Sequence, residues 1–184
     1  MINSFYTENE LANIGLKSFG VNVLISRKAS IYSPELIAVG NNVRIDDFCI
    51  LSGNITLGSY IHISAYSALY GKYGIEMQDY SGLSPRCTVF SAGDDFSGEF
   101  LIGPMIDPHF TNITGGFVLI GKYSQLGCNC VVLPGISISE GVAVGALSLI
   151  TKNLASWKIY KGIPAKYMKD RSKNLLKFNL DEVR

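Results

Sequence analysis

Proton transfer near neutrality calls for an imidazole, and this chain offers two histidines, His62 and His109. His62 lies in Gly58-Ser59-Tyr60-Ile61-His62-Ile63-Ser64-Ala65, directly before an aliphatic residue, so its ring should project from the surface close to a corner. An imidazole, with an ordinary pKa of about 6.5, suits removal of a proton from a hydroxyl or amine. A carboxylate beside it would orient the ring and stabilise the imidazolium that forms. Asp94 and Asp95, in Gly93-Asp94-Asp95-Phe96-Ser97, supply that type of group. The plain alternatives are an exposed corner residue for His62, and a solvated loop tip or an N-cap ahead of Ser97 for the two aspartates. His109 sits in Pro108-His109-Phe110, a turn-like setting.

The four cysteines make no disulfide framework for a chain of 184 residues, and Cys128-Asn129-Cys130 has no second pair to complete a zinc site. Free thiols and no metal are expected. Sixteen Lys and Arg against fifteen Asp and Glu give a net charge of +1, which provides no field to gather nucleic acid or an anionic membrane. No apolar run approaches the roughly 20 residues that span a bilayer. The first residues, Met1-Ile2-Asn3-Ser4-Phe5-Tyr6-Thr7-Glu8, lack the basic and apolar regions of a secretory signal, so a cytoplasmic location is the expectation.

The elements that must position these groups are announced by a repeat. Aliphatic or large apolar residues recur at every sixth position: Phe19, Ile25, Ile31 and Ile37, then after a slip of two Val39, Ile45, Leu51, Leu57, Ile63, Leu69 and Ile75. A second slip gives Met77, Leu83 and Val89, and the series resumes at Ile120, Leu126, Val132, Ile138, Val144 and Ile150. Period six fits neither a helix at 3.6 nor a continuing strand at 2, but it fits short strands joined by repeated corners, an all-β solenoid. The following position is often Gly or Asp, as at Gly20, Gly40, Asp46, Gly58 and Gly121, which suits a corner. Four positions on come Ser67, Ser81, Ser124 and Ser148, and also Cys49, Cys87 and Cys130, so those cysteines read as small inward packing residues.

With these hexads the sequence resembles the hexapeptide-repeat acyltransferases, over roughly residues 19–170. The resemblance implies a left-handed parallel β-helix, three hexads to a triangular turn, and assembly of three such prisms into a homotrimer. It further implies transfer of an acetyl group from acetyl-CoA to a hydroxyl or amine of a sugar or nucleotide-sugar, in surface polysaccharide synthesis. In related sugar acetyltransferases the catalytic His commonly stands in the excursion loop, where this chain has Asp94-Asp95; the expectation here is a rearranged dyad in which His62 is the general base and Asp94 or Asp95 orients it, within one subunit or across an interface. Tyr66 and Tyr70 are candidates to stack on a sugar ring, or equally prism-surface aromatics.

The whole chain reads as one domain. Residues 1–18 form an N-terminal cap, in which Thr7 with Glu10 makes a capping-box pattern for a short helix. Coils occupy 19–89 and 118–152, an excursion loop 90–117, and a C-terminal cap 153–184, where Lys173 to Leu180 has helical spacing. An interruption of about thirty residues inside a compact domain is usually functional.

Seven basic residues, Lys152, Lys158, Lys161, Lys166, Lys169, Arg171 and Lys173, crowd one stretch in which Asp170 is the only acid. They could hold the phosphates of coenzyme A, or be a solvated face. The family's closing segments resemble Gly145-Ala146-Leu147-Ser148-Leu149-Ile150-Thr151-Lys152 and Tyr160-Lys161-Gly162-Ile163-Pro164-Ala165-Lys166. By that match Cys128, Ala146, Thr151 and Lys152 would line the pantetheine groove, and Lys166 and Arg171 would approach the nucleotide. Trp157 reads as a hydrophobic lid on the final coil. The competing readings are a non-catalytic β-solenoid binding scaffold and a zinc hydratase of the same fold, which would need three histidines at one metal.

Overall fold

The hexad aliphatics stack in columns because each short strand ends at a corner and the next turn of chain lays a parallel strand directly above it. The computed structural model describes residues 4–178, wound as a left-handed parallel β-helix of about 7 turns. Its first face carries the column Phe19, Val39, Leu57, Met77, Ile120, Ile138, each paired in register with the next. The second face carries Ile25, Ile45, Ile63, Leu83, Leu126, Val144. The third carries Ile31, Leu51, Leu69, Val89, Val132, Ile150. All of these except Phe19 and Ile31 are buried and form the core. Deleting one such side chain to Ala costs about 2–5 kcal/mol, since the stacked rungs cannot collapse into the gap.

Three edges join the faces. Where the third face runs into the first, here called the far edge, lie both slips of the hexad frame and the excursion. The 3-10 turn Pro34–Leu36 fills the first slip, and the second lies within the continuous strand Ala68–Met77. The first face has an extra inward position two residues earlier, occupied by Ile37, Ile55, Ile75 and Val118. That is why Ile37 and Ile75 fit the preceding frame as well.

Where the first face meets the second, Tyr60, Tyr80, Tyr123 and Trp157 all have φ between 57° and 61°. Such left-handed conformations cost a non-glycine residue about 1 kcal/mol each, and here stacking offsets it. Ring centroids are 4.6 Å apart for Tyr60 and Tyr80 and 5.4 Å for Tyr80 and Tyr123. On the intervening rung stands Gly141, where a Cβ would lie 2.5 Å from Cδ2 of Trp157. The indole therefore leans over the glycine toward Tyr123, 6.2 Å away. Trp157 thus extends an aromatic ladder along an edge, and is not a lid over the last coil.

Helix α1, Glu8–Ile14, covers the first coil with Leu11 buried beneath it. Its capping box is complete: Thr7 Oγ1 accepts from the Glu10 backbone and the Glu10 carboxylate accepts from the Thr7 backbone at 2.7 Å. At the other end Lys158–Lys161 is the last parallel strand, so the coil runs past residue 152, and Lys166–Asp170 folds back antiparallel on it. The expected C-terminal helix is one 3-10 turn, Asn174–Lys177; Asn179 and Leu180 lie outside the described residues. Leu176 and Phe178 are exposed, so among the described residues the apolar stripe that would stabilise a short helix is left uncovered by the last coil. Among the described residues no helix is long and apolar enough to cross a membrane.

Candidate active site

The second face meets the third along a near edge, and His62 stands beside it. The His62 ring projects from the middle of Ile61–Ile63, directly above Arg44 and below Gly82. Its Nε2 lies 2.7 Å from Oδ2 of Asp46, one turn below, and Oδ1 of the same carboxylate accepts from Nε of Arg44 at 2.7 Å. Partial burial works to raise the Asp46 pKa, but the hydrogen bonds from Arg44 and His62 outweigh it and hold the carboxyl below its ordinary value. Asp46 is therefore ionised at neutral pH and can only accept. The neutral His62 tautomer therefore carries its proton on Nε2 and its lone pair on Nδ1, in a side chain that is exposed.

Above the ring, Gly82 leaves room that a side chain would fill, since a Cβ there would lie 2.7 Å from Oε1 of Gln125. Ser84 follows at the edge, its hydroxyl accepting from Nε2 of Gln125 at 3.3 Å. Continuing upward, the edge carries Cys128, Ala146 and finally Lys161, with Lys166 paired opposite Lys161 on the closing hairpin. From the rung of His62 to that of Lys161 is about 19 Å at about 4.8 Å per rung. Cys128 is half-exposed and Ala146 exposed, while Cys49, Cys87 and Cys130 are buried inside the coil and all four thiols are free. Burial pushes the Cys49 thiol up to about 11. Arg171 gives Nη1 to the carbonyl oxygens of Tyr123, Gly141 and Val142 at 2.8, 3.1 and 3.3 Å, clamping the corner where Trp157 leans.

Tyr66 lies on the near edge with Phe48 stacked at 5.0 Å on one face and the Arg86 guanidinium 5.5 Å from its centroid on the other. Both ring faces are taken, which leaves only its rim for a ligand. Tyr70 lies across the third face at the far edge, stacked on Phe90 at 5.3 Å. Its neighbours Ser52, Gly53, Asn54, Gly71 and Lys72 line a hollow of about 410 Å³. Lys72 also lines the adjoining hollow of about 230 Å³ under the excursion, with Asp94, Pro104 and Ile113. Thr151 and Lys152 follow the third-face strand Leu149–Ile150 higher on this edge.

The neck of the excursion is a short antiparallel pair, Ala92–Gly93 with Thr114–Gly115, fastened by the Tyr73 hydroxyl on the Ile113 carbonyl at 3.2 Å. The two aspartates part company here. Asp95 accepts from the Ser97 backbone at 2.6 Å and from Nδ2 of Asn112 at 2.8 Å, and the Ser97 hydroxyl first, then these two bonds, hold its carboxyl below the ordinary value. Asp94 faces the hollow beside Lys72. His109 lies in the 3-10 turn Pro108–Phe110, its backbone amide donating to Asp107 Oδ1 at 2.9 Å.

The sequence-predicted residues therefore fall into three groups within one chain. His62, Tyr66, Cys128, Ala146 and Lys166 follow the near edge; Tyr70, Asp94, Asp95, Thr151 and Lys152 follow the far edge; and Arg171, expected at the coenzyme A nucleotide, is instead held on the corner between the first and second faces by the carbonyls of Tyr123, Gly141 and Val142. The carboxylate against His62 is Asp46, which the hexad pattern assigned only to a corner. Arg44, Ser84 and Lys72 were also missed; the signal for Arg44 and Asp46 was their place one 18-residue turn before His62 and Ser64.

No family model matches the chain. It is 42% identical over 176 residues to dTDP-4-amino-4,6-dideoxy-D-glucose acyltransferase of Escherichia coli, covering 94% of this chain and 92% of the relative. The crystal structure of AntD, an N-acyltransferase from Bacillus cereus, in complex with dTDP and 3-hydroxybutyryl-CoA, superposes with a TM-score of 0.93 at 50% identity, over 96% of this chain and 94% of that one. Variants of AntD with one serine replaced hold dTDP-4-amino-4,6-dideoxyglucose and coenzyme A, and others have one aspartate replaced. A protein of Escherichia coli strain K12 named for O-acetyl transfer in lipopolysaccharide biosynthesis is 28% identical over 79% of this chain and 74% of its own length. A full-length relation of that strength, joined to the stacked hexads, makes this chain a member of the hexapeptide-repeat sugar acyltransferases, enzymes that use coenzyme A thioesters.

Proposed function

We propose that the chain transfers an acetyl group from acetyl-CoA to the amine of a dTDP-linked 4-amino-4,6-dideoxyhexose, in the cytoplasm, on the way to a surface polysaccharide. The observation that carries this is the 50% identity to AntD over 96% of the chain, whose complexes hold a dTDP-linked amino sugar together with coenzyme A.

The reaction joins the unprotonated amine to the thioester carbonyl carbon, giving a tetrahedral oxyanion. His62 Nδ1 takes a proton from the attacking nitrogen, Asp46 stabilises the imidazolium, and collapse of the oxyanion breaks the C–S bond. The imidazolium then protonates the departing coenzyme A thiolate. The Ser84 hydroxyl donates to the oxyanion. The pantetheine arm follows the near edge past Cys128 and Ala146 toward Lys161 and Lys166.

The acceptor takes the far edge: Asp94 meets the sugar amine, Lys72 the diphosphate, and Tyr70 the wall of the hollow. The serine and aspartate replaced in AntD match in type Ser84 on one edge and Asp94 on the other. Because the third face separates these edges, a complete site needs the far edge of one prism against the near edge of its neighbour, which supports a homotrimer with interfacial sites.

The test is thiol release from acetyl-CoA and 3-hydroxybutyryl-CoA with dTDP-4-amino-4,6-dideoxyglucose, beside UDP-linked amino sugars and simple glycosides. Turnover confined to the dTDP-linked amine supports the reading. Turnover only with hydroxyl acceptors overturns the amine, and no coenzyme A binding at all would return the scaffold alternative.

A further inference from the structure

The carboxylate that holds His62 is itself shared. Arg44 and His62 are neighbours on adjacent strands in register, both projecting from the second face, and Asp46 bridges them with one oxygen each at 2.7 Å. Arg44 is braced from behind, its guanidinium 5.2 Å from the centroid of the Phe5 ring. The other groups near His62 bring little charge. Gly82 above it and Gln125 beyond are neutral, Asp47 is engaged by Lys28 at 2.8 Å and by Ser26, and Tyr60 is stacked on Tyr80.

We infer that Arg44 is a positioning residue for the acyl transfer, acting through Asp46 to fix the tautomer and the orientation of the His62 ring. This rests on His62 being the base. With Arg44 on one oxygen, the Asp46 carboxylate is kept from turning, and its other oxygen holds the Nε2 proton of His62 so that Nδ1 keeps the lone pair. A guanidinium suits the role because it stays charged at every working pH and its Nε is fixed in a plane.

Arg44→Gln should free the Asp46 carboxylate to turn and lower kcat/KM about tenfold, with the KM for acyl-CoA nearly unchanged. The amide introduced by Asp46→Asn donates where the carboxylate accepted, so Nε2 becomes the acceptor and the proton moves to Nδ1, removing the lone pair there.

The experiment is NMR of the protein with 15N-labelled histidine, whose ring-nitrogen shifts report the tautomer of the neutral imidazole. His62 and His109 are the only two residues to assign, which loss of one set of resonances in His62→Ala accomplishes. The same proteins give kcat/KM by thiol release. A single tautomer protonated on Nε2 in the wild type, a mixture in Arg44→Gln with recovery in Arg44→Lys, the form protonated on Nδ1 in Asp46→Asn, and a kcat/KM that falls with the Nε2-protonated fraction are the expected results. A His62 tautomer unmoved by Arg44→Gln overturns the inference whatever the activity. Tautomers that shift while kcat/KM stays in place overturn Arg44's role in the reaction and the choice of His62 as base together, leaving dTDP-sugar turnover itself to be judged by the wild-type assay.

Discussion

Asp46 accepts from His62 at 2.7 Å across one turn of the coil, from a position that no short sequence motif would connect to it. The pair is written into the repeat: in-register parallel strands bring residues 18 apart into contact, so corner residues of one turn become partners of face residues on the next. Asp46→Asn should therefore cost kcat/KM at least about a hundredfold at neutral pH, with the KM for acyl-CoA nearly unchanged. Steady-state thiol release at fixed acceptor concentration measures both.

The excursion predicts a contrast between adjacent aspartates. Asp94→Asn should lower kcat/KM for the amino sugar about tenfold or more, because the carboxylate faces the hollow where the amine is proposed to enter. Asp95→Asn should leave chemistry intact but loosen the loop, since it weakens the bonds to Ser97 and Asn112. Limited proteolysis within residues 95–112 separates the two: only the Asp95 variant should be cut faster.

Lys72 lines both hollows on the far edge. Lys72→Met should weaken dTDP binding, read by calorimetry, about tenfold and raise the acceptor KM to match, while the KM for acyl-CoA stays put. A rise in donor KM instead would assign the diphosphate of coenzyme A to this lysine.

The aromatic edge should answer to a single methyl group. Gly141 has φ 69° and lies under the Trp157 indole, so Gly141→Ala is both strained and overpacked. A loss of about 2 kcal/mol or more is expected, seen as a lower Tm.

Acid should release the N-terminal cap before the coil. The Thr7 backbone amide, together with Arg27 and the Thr7 hydroxyl, holds the Glu10 carboxyl down to about 2. Its contribution is present above the ordinary carboxylate pKa of about 4.3 and is lost as pH falls through about 2. Hydrogen exchange across residues 7–14 should therefore speed up over that interval, and Glu10→Gln should show the faster exchange already at neutral pH.

The three columns of the core were legible from Ile25 to Ile150, because a six-residue period constrains each inward position: Ile63 could be placed from Ile45 and Leu83 before any contact was known. The extra inward position at Ile55 and Val118, and Tyr160 on the last rung, fall outside that period and were not. Nor were the polar partners. Whether Asp46 or Asp94 meets His62 depends on which residues stack across turns, which follows only once the number of residues per turn is fixed at each rung. Tyr66 and Tyr70 looked alike in sequence, yet one is sandwiched between Phe48 and Arg86 and the other walls a hollow. The C-terminal helix failed for a related reason, since its spacing promised a face that the last coil does not cover.

The most direct measurement is thiol release from acetyl-CoA with dTDP-4-amino-4,6-dideoxyglucose, compared between wild type and His62→Ala with coenzyme A affinity measured alongside. Turnover by wild type and a loss of at least about a hundredfold in the variant, at unchanged affinity, is the predicted result. Equal turnover by the two proteins would contradict the assignment of His62 as the base.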